Sequence, residues 1–242
     1  MPRADLHRNV LPKAQLELWP ALGQFRDWFV LYGGTALALQ LGHRESLDFD
    51  FFSSRPFQPG TLIARFPILR GAEILQSYPN TLTVLKRGQF GEVRLSFFGG
   101  LDLARVNPPL TSADNGLRIA SVLDLAGTKI KVLQDRAELK DYLDMVAAIE
   151  SGMTAADAVR AAMTIYGEDF NPMVSLKALT WFEDGDVRQL PASARHLLEE
   201  AIRSVDLGSL RPFTPDSKPF DSAKEVAQES TAERAPPREH KP

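Results

Sequence analysis

The stretch LYGGTALALQLGHRESLDFDFF, residues 31–52, decides the fold of this chain. It opens on apolar residues and then reaches the pair Gly33 and Gly34. Strong helix formers follow from Thr35, and no breaker interrupts them before Gly42, a residue type that commonly ends helices. The pattern predicts a buried strand, a glycine turn and a short helix.

Two carboxylates stand near the end of the same stretch. Asp48 and Asp50 alternate with Phe49 and Phe51, the period-two pattern of a strand with two different faces. Both carboxylates therefore project from one face of a strand predicted at 47–52. Mg²⁺ beside phosphates usually takes only one or two protein carboxylates. The alternative is an exposed pair on a solvated face, but charges so close to apolar side chains need partners.

The glycine turn has two possible uses. Backbone N–H groups at a helix start form an anion site, and the Thr35 hydroxyl can add a donor. The simpler alternative is that Gly33 and Gly34 only make a tight turn and that Thr35 caps the helix. Because Asp48 and Asp50 follow on the next strand, we favour a phosphate-binding turn beside a metal site.

The rest of the chain divides into a mixed half and a helical half. Alternating runs predict further strands at 74–78, 81–85 and 93–98. Helical spacing predicts helices at 11–28, 59–66, 121–133, 137–150, 154–166, 174–181 and 193–204. We predict an α+β fold made of a mixed α/β domain at 1–115, a helical domain at 116–211 and a tail at 212–242. The tail is rich in Pro, Ser, Glu and Lys, a composition typical of disorder.

Composition narrows the class of protein. The 242 residues are 44% hydrophobic and 24% charged, and the net charge is −3. The overall charge therefore does not favour binding of a polyanion. Nucleic-acid binding would need a local basic surface, for which the α/β half offers Arg65, Arg70, Lys86, Arg87, Arg94 and Arg105. The absence of cysteine excludes disulfides and thiolate sites. With no run near the ~18 apolar residues of a membrane span and no secretory start, we expect a cytoplasmic protein without a membrane partner.

The segment GGTALALQLGHRESLDFDFF resembles motif I of the polymerase-beta-type nucleotidyltransferase superfamily, in which a Gly-Ser/Thr turn and a helix precede an Asp-x-Asp strand. The Gly-His-Arg element at 42–44 is similar to that of AbiEii-type nucleotidyltransferases, toxins of bacterial toxin–antitoxin and abortive-infection systems. A second segment, DLAGTKIKVLQDRAELKDYLD at 124–144, resembles that family's helix-borne lysine followed by Arg, a basic-Asp pair and another Asp. The resemblance implies a polymerase-beta-type core of mixed sheet and helices, followed by a helical C-terminal region.

The resemblance also implies roles for individual residues. The metal ligands would be Asp48 and Asp50, holding Mg²⁺ or Mn²⁺, and Asp141 would be a further acidic catalytic residue on a later helix. The nucleotide would be bound by Gly33, Gly34, Thr35, Arg44 and Lys129.

Other partners for these charged groups remain open. Lys129 lies on an otherwise apolar helix face, so its ammonium must reach water, an anion or a nearby acid. Asp141 and Asp144 lie about one helical turn apart and could instead pair with Lys140 or Arg136. His43 and Arg44 lie in the loop before the metal strand, where a cation could steer a triphosphate or brace the loop.

One position departs from the superfamily pattern. Many polymerase-beta-type enzymes carry a third carboxylate on a later strand, often as the general base for the acceptor hydroxyl. The strand at 93–98 holds Ser96 where that carboxylate is expected. Either Asp141 then supplies the base, or turnover is weak.

The function implied is transfer of a nucleoside monophosphate from an NTP to an acceptor hydroxyl. The resemblance implies an RNA acceptor such as the tRNA 3′ end, and a cognate antitoxin protein as partner. Two alternatives are a nucleotidyltransferase that modifies a protein or small molecule, and a catalytically weak nucleotide-binding or interaction protein. The four histidines lack zinc-ligand spacing, and no Walker motif is present.

Overall fold

The structure is a computed structural model that describes residues 3–4 and 6–216. These residues form one mixed sheet with helices, followed by a helical region, so the α+β prediction is confirmed. The strands are β1 (Arg3–Ala4), β2 (Val30–Tyr32), β3 (Asp48–Phe52), β4 (Glu73–Tyr78), β5 (Thr81–Gly88), β6 (Gly91–Phe98), β7 (Leu110–Ser112) and β8 (Arg118–Ile119). The α-helices are α1 (Lys13–Leu22), α2 (Gly33–Leu41), α3 (Pro59–Arg65), α4 (Val122–Val132), α5 (Leu139–Glu150), α6 (Ala155–Tyr166), α7 (Pro172–Leu179) and α8 (Ala192–Arg203).

The carboxylate strand β3 lies inside the sheet. The strand order is β1-β7-β8-β2-β3-β6-β5-β4, and β3 runs antiparallel to β2 and parallel to β6. In register, Asp50 lies between Tyr32 on β2 and Ser96 on β6. The backbone of β3 is therefore held on both sides, and its side chains have fixed directions.

One face of the sheet is covered by an aromatic core. The Phe51 ring lies 4.9 Å from that of Phe25 and 5.0 Å from that of Phe97, and all three side chains are buried. Buried aromatic rings contribute large apolar areas to a core. Because successive strand residues alternate between faces, burying Phe49 and Phe51 on this face sends Asp48 and Asp50 to the other.

A second hydrophobic cluster lies among helices α4 to α8, and Leu41 packs against both clusters. The change from one cluster to the other occurs within α4, between Leu125 and Ala126. Helices α4 and α6 approach closely at Gly127, where an added Cβ would lie 2.9 Å from the Cβ of Ala161. This close packing fixes α4, which carries Lys129, against the second cluster.

Most of the predicted elements are present with shifted ends. The helix predicted at 11–28 is shorter: α1 ends at Leu22, and a short 3₁₀ helix follows it. The sequence patterns missed β1, β7 and β8, which have only two or three residues each.

The predicted division at 115/116 and the predicted disorder of the tail both stay predictions. Of the tail, residues 217–242 lie outside the described residues. Within residues 212–216, the Phe213 ring lies 3.8 Å from the Arg160 guanidinium, and Asp216 accepts a 2.9 Å bond from Arg105.

Candidate active site

Asp48 and Asp50 sit on the open face of β3. The Asp48 side chain is 44% exposed, and Asp50 is partly buried. Burial, and next the negative charge of Asp48, raise the pKa of Asp50 above its ordinary value. A bound cation would relieve both effects, because it neutralises the charge that burial and repulsion disfavour.

The glycine turn between β2 and α2 brings backbone against the carboxylates. Gly33 has a φ of 74°, in the left-handed region, and an added Cβ would collide with the Asp50 carboxylate. A Cβ on Gly34 would lie 2.5 Å from Nη2 of Arg44. The Gly33 position therefore needs glycine, whereas a side chain at Gly34 would displace the end of the Arg44 side chain.

The Thr35 hydroxyl does not face the space in which phosphates were predicted to bind. Its side chain is buried, and its hydroxyl donates a hydrogen bond to the backbone carbonyl of Asp48. Thr35 thus ties the start of α2 to the start of β3. It holds the glycine turn and the carboxylate strand together without lining the cavity in front of them.

A cluster of buried charged side chains lies on the helical side of the site, where α4 and α5 meet. Lys129 on α4 donates to Oδ1 of Asp141 at 2.6 Å and lies 2.7 Å from Oδ2 of Asp144. Arg136 also contacts Asp141, with 3.1 Å between Nε and Oδ2. Of the alternatives left open by the sequence, the structure shows the ion pair of Lys129 with acids and the pair of Asp141 with Arg136.

Asp144 is the centre of this cluster. Its carboxylate has no exposed surface and accepts two bonds from Arg44, at 2.7 and 2.9 Å, and one from Nε2 of His43 at 2.8 Å. Burial alone would raise the pKa of Asp144, but the hydrogen bonds from His43 and Arg44 and the charge of Lys129 lower it well below its ordinary value. Asp144 is therefore ionised, and it braces the loop before β3.

These elements enclose a cavity of about 390 Å³. Of the residues predicted from sequence, six line it: Gly33, Gly34, Arg44, Asp48, Asp50 and Lys129. Thr35 and Asp141 do not line it and lie behind its walls. The rest of the lining is Tyr32, Glu45, Ser46, Leu47, Phe52, Thr128, Val132, Arg136, Lys140 and Tyr166.

Sequence reasoning did not place Arg136 and Lys140 in the cavity wall. Both were considered only as partners of nearby acids, and Lys140 does pair with Glu138 at 2.7 Å. The signal that could have found them is the density of cations between 129 and 140 beside a predicted phosphate site.

Ser96 lies beside the carboxylates, as expected. It is cross-strand to Asp50 in the parallel pairing of β3 with β6, and it is buried. The next position on the same face, Arg94, is opposite Asp48, with 4.0 Å between Nη1 and Oδ2. The position expected to hold a third carboxylate therefore holds a hydroxyl, with a cation two residues away.

The donor set suits a divalent cation that is shared with phosphates. Within the part of the chain that the structure describes, no three His, Asp, Glu or Cys side chains gather as a metal group. Mg²⁺ needs fewer protein ligands than that, since water and phosphate oxygens complete its octahedron. The paired oxygens of Asp48 and Asp50, with the raised pKa of Asp50, fit such an ion.

Gly33 offers a test of this geometry. We expect Gly33→Ala to lower the free energy of unfolding by about 1–2 kcal/mol, the cost of a left-handed backbone for a residue with a Cβ. The collision with Asp50 adds to that cost. Thermal unfolding measures the change, and Gly60→Ala on α3, where an added Cβ has open space, is the matched control. Equal melting temperatures for Gly33→Ala and the unmodified chain would contradict the tight turn.

A family model described as "Nucleotidyl transferase AbiEii toxin, Type IV TA system" matches residues 19–226. The chain belongs to the AbiEii nucleotidyltransferase toxin family. The predicted resemblance and the prediction of a nucleotidyltransferase are thereby confirmed. The matched range includes the glycine turn, both carboxylates of β3 and the ionic cluster of α4 and α5.

Individual proteins also match the chain. The uncharacterized protein aq_aa25 of Aquifex aeolicus (strain VF5) is 32% identical over 173 residues, which are 70% of this chain and 80% of that protein. A candidate nucleotidyltransferase structure from H. pylori matches with 17% identity and a TM-score of 0.49, covering 81% of this chain and 92% of the other. An antigenic nucleotidyltransferase-like protein from Paracoccidioides brasiliensis matches with 16% identity and a TM-score of 0.48, over 82% and 94%.

Among residues 3–4 and 6–216, every helix is too short or too polar to cross a membrane.

Proposed function

We propose that this AbiEii-family cavity binds an NTP and that the chain transfers its nucleoside monophosphate to an acceptor hydroxyl. The convergence of a carboxylate pair, a glycine turn and several cations on one cavity carries the proposal. Phosphates bind to cations and N–H donors, whereas a divalent cation binds to carboxylate oxygens. A cavity of about 390 Å³ is also within the usual size of small-molecule sites.

In the proposed step, the acceptor oxygen forms a bond to the α-phosphorus of the NTP. The bond from that phosphorus to the bridging oxygen breaks, and pyrophosphate leaves with the electron pair. The hydroxyl proton passes to water. Lys129, Arg44 and Arg136 would stabilise the negative charge that develops on the pyrophosphate, because fixed cations act strongly where water is excluded.

Asp48 and Asp50 would hold the Mg²⁺ or Mn²⁺ ion, which when bound neutralises phosphate charge and orients the triphosphate. Gly33 and Gly34 would let the phosphates approach the start of α2, because the first backbone N–H groups of a helix have no intrahelical partner and can bind anions.

We assign Thr35 and Asp141 to positioning rather than to direct contact with the nucleotide. The Thr35 hydroxyl holds the backbone of Asp48, and Asp141 holds Lys129 and Arg136. In this proposal Asp141 is not the general base, because its oxygens accept bonds from two cations and it has no exposed surface.

A catalytically weak nucleotide-binding protein is the second candidate function, and Ser96 is the observation that favours it. A general base typically contributes about 10²–10⁴-fold to a rate. With Ser96 where the third carboxylate is expected, and with Asp141 engaged elsewhere, we expect slow transfer. Nucleotide binding with no transfer to any acceptor would favour the second candidate.

Label transfer tests the proposed activity. Full-length protein is incubated with Mg²⁺ or Mn²⁺, each α-³²P-labelled NTP in turn and total RNA. We expect labelled RNA for at least one NTP, and labelled tRNA if the acceptor is the tRNA 3′ end. Label on protein or on a small molecule would redirect the acceptor assignment, and label on nothing would contradict the transferase.

We also propose that the chain is a cytoplasmic toxin neutralised by a cognate antitoxin protein, which the description of its family supports. Expression of the chain alone should arrest growth, and expression of Asp50→Ala should not. Co-expression of the protein encoded beside it should relieve the arrest. Growth that is equal in all three cultures would contradict the toxin assignment.

A further inference from the structure

Arg94 on β6 shares the open face of the sheet with the carboxylate pair. In the parallel pairing of β3 with β6, Arg94 is opposite Asp48. Ser96, two residues further on, is opposite Asp50. The alternate residues of β6 pack into the hydrophobic cluster of the sheet, so Arg94 and Ser96 project to the open face. There, Nη1 of Arg94 lies 4.0 Å from Oδ2 of Asp48.

The contact between Arg94 and Asp48 is loose. At 4.0 Å it is longer than a hydrogen bond, and the two side chains are 52% and 44% exposed. Exposed ion pairs of this kind contribute little to stability. Among the described residues, Arg94 pairs with no carboxylate other than Asp48. Arg94 can therefore turn from Asp48 to a phosphate without breaking a strong bond.

The carboxylate pair has a different neighbour at each end. The glycine turn meets the Asp50 end, because an added Cβ on Gly33 would collide with the Asp50 carboxylate. The Arg94 guanidinium meets the Asp48 end. An ion and a phosphate held by this pair would therefore have the turn on one side and the guanidinium on the other.

The residues around the pair suit one divalent ion rather than two. Two-metal sites of phosphoryl transfer hold their ions about 3.5–4 Å apart and stabilise both the attacking and the leaving oxygen. In this chain the position of the expected third carboxylate holds Ser96, whose neutral hydroxyl carries no negative charge. A second divalent ion beside Asp48 would also be repelled by Arg94.

We propose that Arg94 is a catalytic residue that takes the electrostatic role of a second metal ion in a site that binds one. The inference rests on the proposed transferase function and adds a residue to its mechanism. While the acceptor oxygen bonds to the α-phosphorus and pyrophosphate leaves, the guanidinium donates hydrogen bonds to a non-bridging oxygen of the α-phosphate. Arg94 forms no covalent bond and keeps its protons, because a guanidinium stays protonated in proteins. Its planar fork of N–H donors matches the geometry of a phosphate.

Substitution of Arg94 tests this role with the acceptor that label transfer identifies. Arg94→Ala should lower kcat by roughly 10²–10³-fold, the usual effect of removing one fixed donor from a developing charge. The Kd for a non-hydrolysable NTP analogue and the melting temperature should stay unchanged. Added guanidinium chloride at a non-denaturing concentration should restore part of the lost rate, whereas the same concentration of sodium chloride should not.

Arg87→Ala is the matched control. Arg87 is an exposed arginine on the neighbouring strand β5, and it pairs with Glu73 and Glu92 instead of Asp48. Its replacement should leave kcat equal to that of the unmodified chain.

The number of bound ions is measured on the unmodified chain and does not depend on turnover. Titration of Mn²⁺ in the presence of the NTP analogue, followed by electron paramagnetic resonance, should give one bound ion per chain. Two bound ions per chain would overturn the role of Arg94, whatever the variants do.

The other outcomes also separate this role from the proposed function. A kcat of folded Arg94→Ala equal to that of Arg87→Ala would overturn the role of Arg94, while transfer by the unmodified chain upheld the transferase. A lower kcat with a lower melting temperature and no rescue would indicate a structural role and overturn the inference too. Absence of NTP binding and of transfer in the unmodified chain would overturn the role of Arg94 together with the proposed function.

Discussion

Replacement of Asp48 or Asp50 by asparagine should reduce nucleotide transfer by roughly 10³-fold or more, because a bound cation supplies several kcal/mol of transition-state stabilisation and about 4 kcal/mol corresponds to that factor. The amide keeps the size of the side chain and removes the negative charge that a metal needs. The rate of label transfer at saturating NTP measures the loss. For Asp50→Asn we also expect a stable fold, because burial and the charge of Asp48 already disfavour the ionised form.

Asp27→Asn is the matched control, since Asp27 is an exposed carboxylate that does not line the cavity. Its transfer rate should equal that of the unmodified chain. The affinity for Mn²⁺ is measured by titration in the presence of a non-hydrolysable NTP analogue. It should weaken in both β3 variants and stay unchanged in the control. Transfer that persists in Asp48→Asn and in Asp50→Asn would remove the basis of the metal assignment.

The site on β3 was predictable because its pattern is local. The alternation of Asp48, Phe49, Asp50 and Phe51 fixes which side chains share a face, whatever the neighbouring strands are. The glycine turn was predictable for the same reason, since only the next few residues decide where α2 begins. The family resemblance then connected these two local patterns to one chemistry.

The partners of the charged side chains were not predictable, because they depend on how helices pack. Lys129 and Asp144 are 15 positions apart, and sequence alone left Lys140 or Arg136 as equally good partners for the acid. Only the packing of α4 against α5 and α2 brings Lys129, Asp144 and Arg44 together. The short strand β7 was missed because three residues are too few for an alternating pattern.

The ionic cluster links the two hydrophobic clusters of the fold. Asp144 belongs to α5 in the helical region, whereas His43 and Arg44 belong to the loop between α2 and β3. The cavity therefore lies where the sheet region meets the helical region, and its cations are held by carboxylates from the helical side. Nucleotide binding should consequently be sensitive to residues that never contact the nucleotide.

Asp144→Asn should lower the free energy of unfolding by about 3–5 kcal/mol, the usual result of removing one partner from a buried ion pair. Arg44 would lose a bidentate partner and Lys129 one of its two. The affinity for NTP should fall roughly 10-fold, as when outer partners of a binding site are removed. Urea unfolding and equilibrium binding measure the two effects.

The pH dependence separates this loss of charge from a loss of packing. Because the folded pKa of Asp144 is lowered, its contribution to stability is complete above the unfolded pKa of about 3.9 and is lost as the pH falls below that value. The difference in stability between the unmodified chain and Asp144→Asn should therefore be constant near neutral pH and shrink below about pH 4. Glu150→Gln, on the exposed end of the same helix, is the matched control and should change stability by less than about 0.5 kcal/mol. A difference for Asp144→Asn that did not shrink in acid would show that Asp144 acts through its packing rather than through its charge.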